Sequence, residues 1–211
     1  MEFNKCTLIY LENELGLQPV RQHTALQAWV AMPQEITDFE RRELTELRDQ
    51  LDFNVLHWNE QELAMQFIGP MLSLVRFTSY QFNLFAGRSL SGTVKGVDFF
   101  GKPDGMIASG YREPKVPYFC FQEYKRDLDN SGDPAGQCLA AMLVGQTLNP
   151  HAHIMYGAYV VGRDWYFLVL DKNEYAISRD YSAVTDDIFD IFRILKALKQ
   201  MITLLVSEDN G

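Results

Sequence analysis

The chain has 211 residues, 47% of them hydrophobic and 22% charged, and its formal net charge is −9. This length and composition favour one compact domain, which we divide into an N-terminal helical extension (1–58), a core (59–170) and a C-terminal strand and helix (171–211). The acidic balance argues against a broad electrostatic grip on nucleic acid. A local basic patch remains open, with these candidates: Lys102, Arg112, Lys115, Lys125 and Arg126.

Hydropathy and cysteine content narrow the class of protein further. No apolar run approaches the roughly 20 residues needed to span a bilayer, and the first residues lack the pattern of a signal peptide. We therefore expect a cytoplasmic protein without a membrane partner. Cys6, Cys120 and Cys138 lack metal-type spacing, and we interpret them as small core side chains.

The first 58 residues contain one ambiguous stretch and one helical pattern. Residues 5–11 suit either a short strand or a short helix, because their periodicity does not decide. Residues 33–51 place apolar side chains, Phe39 and Leu47 among them, at helical spacing amid mixed charges. This pattern predicts an amphipathic helix on the outside of the molecule.

Residues 59–76 open with a helix-start signal. Asn59 as N-cap, with Glu62 three residues later, predicts a capping box. Glu60 lies in the first turn on the core side, either as a member of an acidic cluster or as an acid favoured by the helix dipole. Pro70 predicts a kink or an early end of the helix.

Three strands are predicted next. Residues 90–99 and 105–110 suit a hairpin around the corner at 101–105, and the aromatic-rich residues 117–125 suit a third strand. Asp104 lies in the corner, whereas the rival acid Asp98 lies in mid-strand, where it is free to face solvent. We therefore prefer Asp104 as a candidate ligand.

Side-chain alternation in the third strand brings an acid and a lysine together. One face is expected to carry Phe119, Phe121, Glu123 and Lys125, and the other Tyr118, Cys120, Gln122 and Tyr124. If the strand after Asp104 pairs with this one, the two carboxylates and the backbone carbonyl of Tyr124 form a hard oxygen site suited to Mg²⁺ or Mn²⁺. A lysine there can orient a metal-bound water. The alternative is a surface ion pair beside an ordinary turn.

The second half of the chain predicts a helix, a group of strands and a final helix. Asp133 suits an N-cap, and Asn149 followed by proline ends that helix. Gln137, in its first turn, either reaches back to the lysine end of the preceding strand or stays exposed. Residues 154–178 predict strands with turns near 162–164 and 171–173, and residues 186–206 predict an amphipathic helix.

Two histidines have a spacing seen in metal sites. His151 and His153 lie beside a proline in a predicted loop, and we interpret them as surface residues.

The element order is helix, three strands, helix and strand, with Pro103-Asp104 at the second strand and Glu123-Tyr124-Lys125 at the third, after 18 intervening residues. This arrangement resembles the PD-(D/E)xK nuclease superfamily. Residues 59–72 are also similar to the start of the nuclease domain in R subunits of type I restriction enzymes. The resemblance covers roughly residues 59–170 and implies a restriction-endonuclease-like α/β (α+β) fold with a mixed central sheet flanked by helices.

The resemblance also implies a function, Mg²⁺-dependent hydrolysis of phosphodiester bonds in DNA. By that likeness, Asp104 and Glu123 are metal ligands together with the Tyr124 carbonyl, and Lys125 positions the attacking water. By the same likeness Glu60, or alternatively Glu62, is the upstream acid, a further carboxylate that adds to the metal cluster.

A supporting glutamine is implied as well. Gln137 matches the glutamine that some branches of the superfamily carry in the helix after the lysine. The tyrosine that follows it four residues later in the RecB-like branch is Ala141 here.

Two other readings stay open. The first is a member of the same fold that binds nucleic acid or protein without cutting, which the acidic charge favours. The second is a dimerising scaffold that uses the helix at 33–51. If the chain is a nuclease, the same acidic charge leads us to expect a partner subunit that supplies affinity for the substrate.

Overall fold

The fold is described by a computed structural model for residues 1–127 and 132–208, so the last three residues of the expected C-terminal segment lie outside the described part. The helices are α1 (Leu8–Leu15), α2 (Thr24–Ala31), α3 (Asp38–Asn54), α4 (Glu60–Leu63), α5 (Gly69–Val75), α6 (Pro134–Leu148) and α7 (Asp187–Glu208). A 3₁₀ turn at Phe3–Lys5 precedes α1, and a π-helical turn at Ala64–Ile68 joins α4 to α5.

The strands are β1 (Gln18–Pro19), β2 (Phe82–Ala86), β3 (Leu90–Val94), β4 (Val97–Gly101), β5 (Gly105–Ser109), β6 (Lys115–Lys125), β7 (Met155–Val161), β8 (Asp164–Asp171), β9 (Glu174–Ile177) and β10 (Tyr181–Ser182). All the described strands except the first follow α5, and α6 separates β6 from β7.

Helix starts follow local capping chemistry. Asn59 Oδ1 accepts the backbone N–H of Glu62 at 2.9 Å, and the Glu62 carboxylate accepts the N–H of Asn59 at 2.8 Å, so the predicted capping box is confirmed. A second box, between Thr37 and Glu40, starts α3 at residue 38 rather than at the predicted residue 33. Pro70 lies in the first turn of α5, directly after the π-helical turn.

Eight of the described strands form a mixed sheet in the order β1-β9-β8-β7-β6-β5-β2, with β10 paired to β8. The β6–β7 and β1–β9 pairs are parallel, and the other pairs of this sheet are antiparallel. Buried apolar side chains form one cluster with α2, α3, α5 and α7 and another with α1 and α6. The predicted class, a mixed α/β fold whose central sheet is flanked by helices, is confirmed.

The expected hairpin between residues 90–99 and 105–110 is wrong. β3 and β4 instead pair with each other through a turn at Lys95 and Gly96, both of which have positive φ, and they form a separate two-stranded sheet. That turn type matches the right-handed twist of a hairpin, so it splits the predicted strand in two. β5 pairs with β6 as expected and, on its other side, with β2, which the sequence analysis did not identify.

The expected alternation along the third strand holds only in part. Ile107 pairs with Cys120 whereas Ala108 pairs with Tyr118, so Phe119 is an extra residue in a β-bulge. Phe119 consequently packs in the same apolar cluster as Cys120, while Phe121 packs in the other. From residue 120 onward the alternation is regular, which places Glu123 and Lys125 on one face as predicted.

Helix α6 packs closely on β6 and β7. A Cβ atom added at Gly145 would lie 2.4 Å from the Phe121 ring, so this position admits no side chain without movement. The three cysteines are buried and free, as predicted. In residues 1–127 and 132–208, no helix combines the length and the apolar character that crossing a membrane requires.

Candidate active site

The residues singled out in the sequence meet at one end of the pair β5 and β6. Gly105 pairs with Gln122, so Asp104 just precedes β5 beside the last residues of β6. Glu60 reaches the same place from the first turn of α4. The predicted pairing between the strand after Asp104 and the strand ending at Lys125 is confirmed.

Lys125 lies between two carboxylates. Its Nζ atom donates to Glu123 Oε1 at 2.8 Å and lies 3.6 Å from Glu60 Oε2. The side chains of Lys125 and Glu123 are 14% and 11% exposed, whereas that of Glu60 is 45% exposed. The pair of Glu123 and Lys125 is therefore a largely buried ion pair and not the exposed surface pair that the alternative reading required.

Asp104 is fixed by the backbone of the neighbouring strand. Its Oδ2 atom accepts the backbone N–H of Tyr124 at 2.7 Å, and its own carbonyl accepts the N–H of Gly87 at 3.1 Å. The carboxylate is thus held next to the peptide that joins Glu123 to Tyr124. Its position depends on strand pairing rather than on a flexible side chain alone.

The electrostatics of the cluster favour a cation. Burial raises the pKa of Glu123 to about 7, and the nearby Asp104 carboxylate raises it as well, against the opposing effect of Lys125. Burial also raises the pKa of Asp104, partly offset by the Tyr124 N–H, and the Glu60 charge adds to the increase. Two buried acids that disfavour each other's ionised form are stabilised by positive charge placed between them.

The charge of Lys125 is retained. Burial lowers its pKa, but the hydrogen bond and the charge of Glu123 together with the charges of Glu60 and Asp104 outweigh burial, and the net shift is upward. Lys125 is therefore a permanent cation at neutral pH.

Two cavities are lined by residues of the cluster. One of about 280 Å³ is lined by Glu123, Lys125 and Gln137 together with residues near the N-terminus and Lys102. The other, about 360 Å³ and largely apolar, is lined by Glu60, Asp104, Tyr124 and side chains of the α4–α5 segment. The larger groove of about 880 Å³ lies elsewhere, between α3, α5 and α7, and includes none of the predicted site residues.

Gln137 joins the site through α6. Asp133 caps this helix by accepting the N–H of Gly136 at 2.9 Å, as predicted. Gln137, in the first turn, is 5% exposed and lines the cavity that holds Glu123 and Lys125. Gln137 therefore faces the lysine end of β6, which is the first of the two positions expected for it, and is not exposed.

Several other candidates lie outside the cluster. Asp98, whose side chain is exposed on β4, accepts from the Thr93 hydroxyl at 2.6 Å, and Glu62 is engaged in the capping box. The His153 ring stacks on Phe119 and contacts Asn149, and His151 is exposed.

Metal-ligand chemistry at the site rests on two carboxylates. Across the described ranges 1–127 and 132–208, no three His, Cys, Asp or Glu side chains are grouped so that they hold a metal ion by themselves. Mg²⁺, however, is commonly held by one or two carboxylates, with water and substrate phosphate completing its shell. Asp104 and Glu123 supply that number, so the residues present fit a hard divalent cation.

Two polar residues at or beside the site were missed by the sequence analysis. Gln122 is buried, and its side-chain oxygen accepts from the Tyr124 hydroxyl. Its Nε2 atom has no hydrogen-bond partner within residues 1–127 and 132–208. Arg88 follows Gly87, whose N–H binds the carbonyl of Asp104, and it is exposed. Gln122 could have been identified from the sequence, because it is a polar residue within the apolar run of β6. Arg88 could not, because its place beside the site follows from strand β2, which the sequence analysis did not identify.

No family model matches the chain, and no curated protein matches it. Among solved structures, the chain is similar to part of one described as "cryoEM structure DrdV-DNA complex", with a TM-score of 0.47 and 12% sequence identity over 75% of this chain. The match spans 14% of that chain.

Proposed function

We propose that this chain is a metal-dependent nuclease of the PD-(D/E)xK type that hydrolyses phosphodiester bonds in DNA. The observation that carries the proposal is the meeting of Asp104, Glu123 and Lys125 at the end of β5 and β6, with Glu60 beside them. These are the residues that the sequence motif singles out, and 18 residues separate the first two along the chain. Burial of Glu123 and Lys125 makes an incidental surface pair a poor explanation of the cluster.

The proposed ligands of the ion are Asp104, Glu123 and the backbone carbonyl of Tyr124. When bound, Mg²⁺ or Mn²⁺ would lower the pKa of a water molecule and neutralise charge that develops on the phosphate. The coupled carboxylates supply the negative charge that such an ion needs.

Lys125 has the chemical properties of a positioning and charge-stabilising group. Its ammonium group is a compact charge with three donors, of which the bond to Glu123 uses one. The remaining donors can hold an attacking water or a phosphate oxygen beside the carboxylates. Glu60, on its other side, orients the ammonium, and Gln137 supplies a polar wall to the same cavity.

The test is cleavage by matched lysine variants. Lys125→Ala is expected to lower Mg²⁺-dependent cleavage of DNA by at least about 100-fold, because removal of one charge-stabilising donor has effects of that order. Lys172→Ala, which removes an exposed lysine far from the cluster, serves as the control. Unchanged cleavage by a folded Lys125→Ala variant would refute the assignment.

A second function remains a candidate because the acidic net charge and the two-carboxylate ligand set both favour it. In this reading the chain binds nucleic acid or a partner protein without cutting. It predicts that the wild type shows no hydrolysis with Mg²⁺ or Mn²⁺ under conditions in which it binds an oligonucleotide. Metal-dependent hydrolysis that Lys125→Ala abolishes would exclude it.

A further inference from the structure

The positive charge of this acidic protein is concentrated in one segment. Residues 76–126 contain eight Lys or Arg residues and four Asp or Glu residues, although the whole chain has 19 and 28. Two of the four acids are the candidate ligands Asp104 and Glu123. The segment from residue 76 through β6 therefore carries a local excess of positive charge that can attract a polyanion.

Two of these cations flank the acidic cluster. Arg88 follows Gly87, which lines the 360 Å³ cavity and binds the carbonyl of Asp104. Lys102 lines the 280 Å³ cavity together with Glu123 and Lys125. Both side chains are exposed, and neither makes an ion pair with any residue in the described ranges.

The far end of the same strands carries exposed aromatic rings. Phe82 of β2 pairs with Ser109 of β5, so the loops that hold Tyr80 and Tyr111 are neighbours. Their side chains are 102% and 76% exposed. Exposed tyrosines next to basic residues offer stacking platforms for bases that are not paired in a duplex.

Basic residues accompany the tyrosines at this end. Arg112 is exposed in the same loop as Tyr111, and Lys115 is exposed at the start of β6. Glu113 is the one acid between them. The local balance is positive, so the backbone of a nucleic acid meets favourable charge beside the rings.

The two ends are joined along the edge of the sheet. From Asp104 to Gly110 there are six residue steps of extended chain, which correspond to about 20 Å. β2 is the outermost strand on this side of the described sheet, so no further described strand covers its edge. We define the basic-aromatic track as Arg88 and Lys102 at one end and Tyr80, Tyr111, Arg112 and Lys115 at the other.

We propose that the basic-aromatic track binds an unpaired strand of nucleic acid, with phosphates at Arg88 and Lys102 and bases stacked on Tyr80 and Tyr111. The inference rests on the proposed nuclease function, because the track would deliver one strand to the carboxylates of that active site. It names the substrate as single-stranded DNA or an unpaired end. It also reconciles an acidic chain with nucleic-acid binding, because the contact needs only this positive segment.

Binding measured apart from cleavage tests the track. Fluorescence anisotropy of a labelled single-stranded DNA of about 15 nucleotides, with Ca²⁺ in place of Mg²⁺, gives the dissociation constant across a salt series. The double variant Arg88→Gln/Lys102→Gln is expected to lower the slope of log K against log salt by about 1.4, since each phosphate contact on a single strand contributes about 0.7. Arg21→Gln/Arg42→Gln removes the same charge from exposed sites outside the segment and is expected to leave the slope unchanged.

Aromatic variants separate stacking from charge. Tyr80→Ala and Tyr111→Ala are each expected to weaken single-strand binding about tenfold and to affect a duplex of the same sequence much less. Phe53→Ala, which removes an exposed ring on α3, is the matched control.

Several outcomes would overturn the proposal. Equal slope changes in the two double variants would mean that only the net charge matters. Tighter binding of duplex than of single strand, or no loss in the tyrosine variants, would contradict an unpaired ligand. These readouts measure binding and not hydrolysis, so the two proposals can fail separately. Single-strand binding that depends on the track, in a protein that does not cleave DNA, would refute only the proposed function. Cleavage that Lys125→Ala abolishes, in a protein whose track variants bind like the wild type, would refute only this inference.

Discussion

The buried acid Glu123 is expected to make the metal-free protein less stable as the pH rises. Its pKa is raised by burial and by Asp104 to about 7, above the value of about 4.3 for an exposed glutamate. A raised carboxyl pKa leaves stability intact at low pH and removes it as the pH rises from the unfolded pKa through the folded one. The sensitive window therefore lies between about pH 4 and pH 7.

The magnitude follows from the shift. One pKa unit corresponds to about 1.4 kcal/mol, so between about pH 5 and pH 8 the Glu123 carboxyl contributes a loss of roughly 2–3 kcal/mol in unfolding free energy. Glu123→Gln mimics the neutral acid and removes this dependence. The difference in unfolding free energy between variant and wild type should therefore grow by roughly that amount over the same pH interval.

Chemical denaturation in EDTA at several pH values measures this difference. Glu113→Gln, at an exposed loop position, is the matched control and should follow the wild type at each pH. If the unfolding free energies of Glu123→Gln and the wild type change with pH in parallel, the pKa of Glu123 is not raised in the folded protein. The electrostatic argument for a cation at this site would then be refuted.

Three further changes test the packing and the site. Gly145→Ala should destabilise the protein by about 1–3 kcal/mol in denaturant, because the added methyl meets the Phe121 ring, whereas stabilisation, the usual result in a helix, would show that α6 can shift. Glu60→Gln should reduce cleavage less than Lys125→Ala does and leave the thermal midpoint unchanged, and an equal or larger loss would make Glu60 a principal ligand. Asp133→Ala should lower the unfolding free energy by about 1–2 kcal/mol, because its carboxylate accepts backbone N–H groups at the starts of two helices; a neutral effect would contradict this.

Local signals in the sequence predicted the starts of α4 and α6 and the site motif, whereas the start of α3 was placed five residues too early. The capping pair Asn59 and Glu62 and the N-cap Asp133 are short-range features, because a side chain bonds to backbone three residues away. Asp104 and Glu123 were predicted to lie close together if the strands that carry them pair, and β5 and β6 do pair.

Long-range features were not predictable in the same way. The turn at Lys95 and Gly96 divides a run that reads as one strand. The partner of β5 is β2, which lies upstream of the whole β3–β4 hairpin. The bulge at Phe119 depends on how two strands register. The burial of Gln137 and the cavities beside the carboxylates arise only when α6 and the N-terminal residues pack against the sheet.

The most direct test of the account is Mn²⁺ binding followed by the loss of the free-ion electron paramagnetic resonance signal. The wild type is expected to bind Mn²⁺ saturably, Asp104→Asn and Glu123→Gln are expected to lose that binding, and Asp98→Asn, at the rival acid on β4, is expected to keep it. Saturable binding that survives both site variants, or a wild type that takes up no Mn²⁺, would contradict a metal site at Asp104 and Glu123.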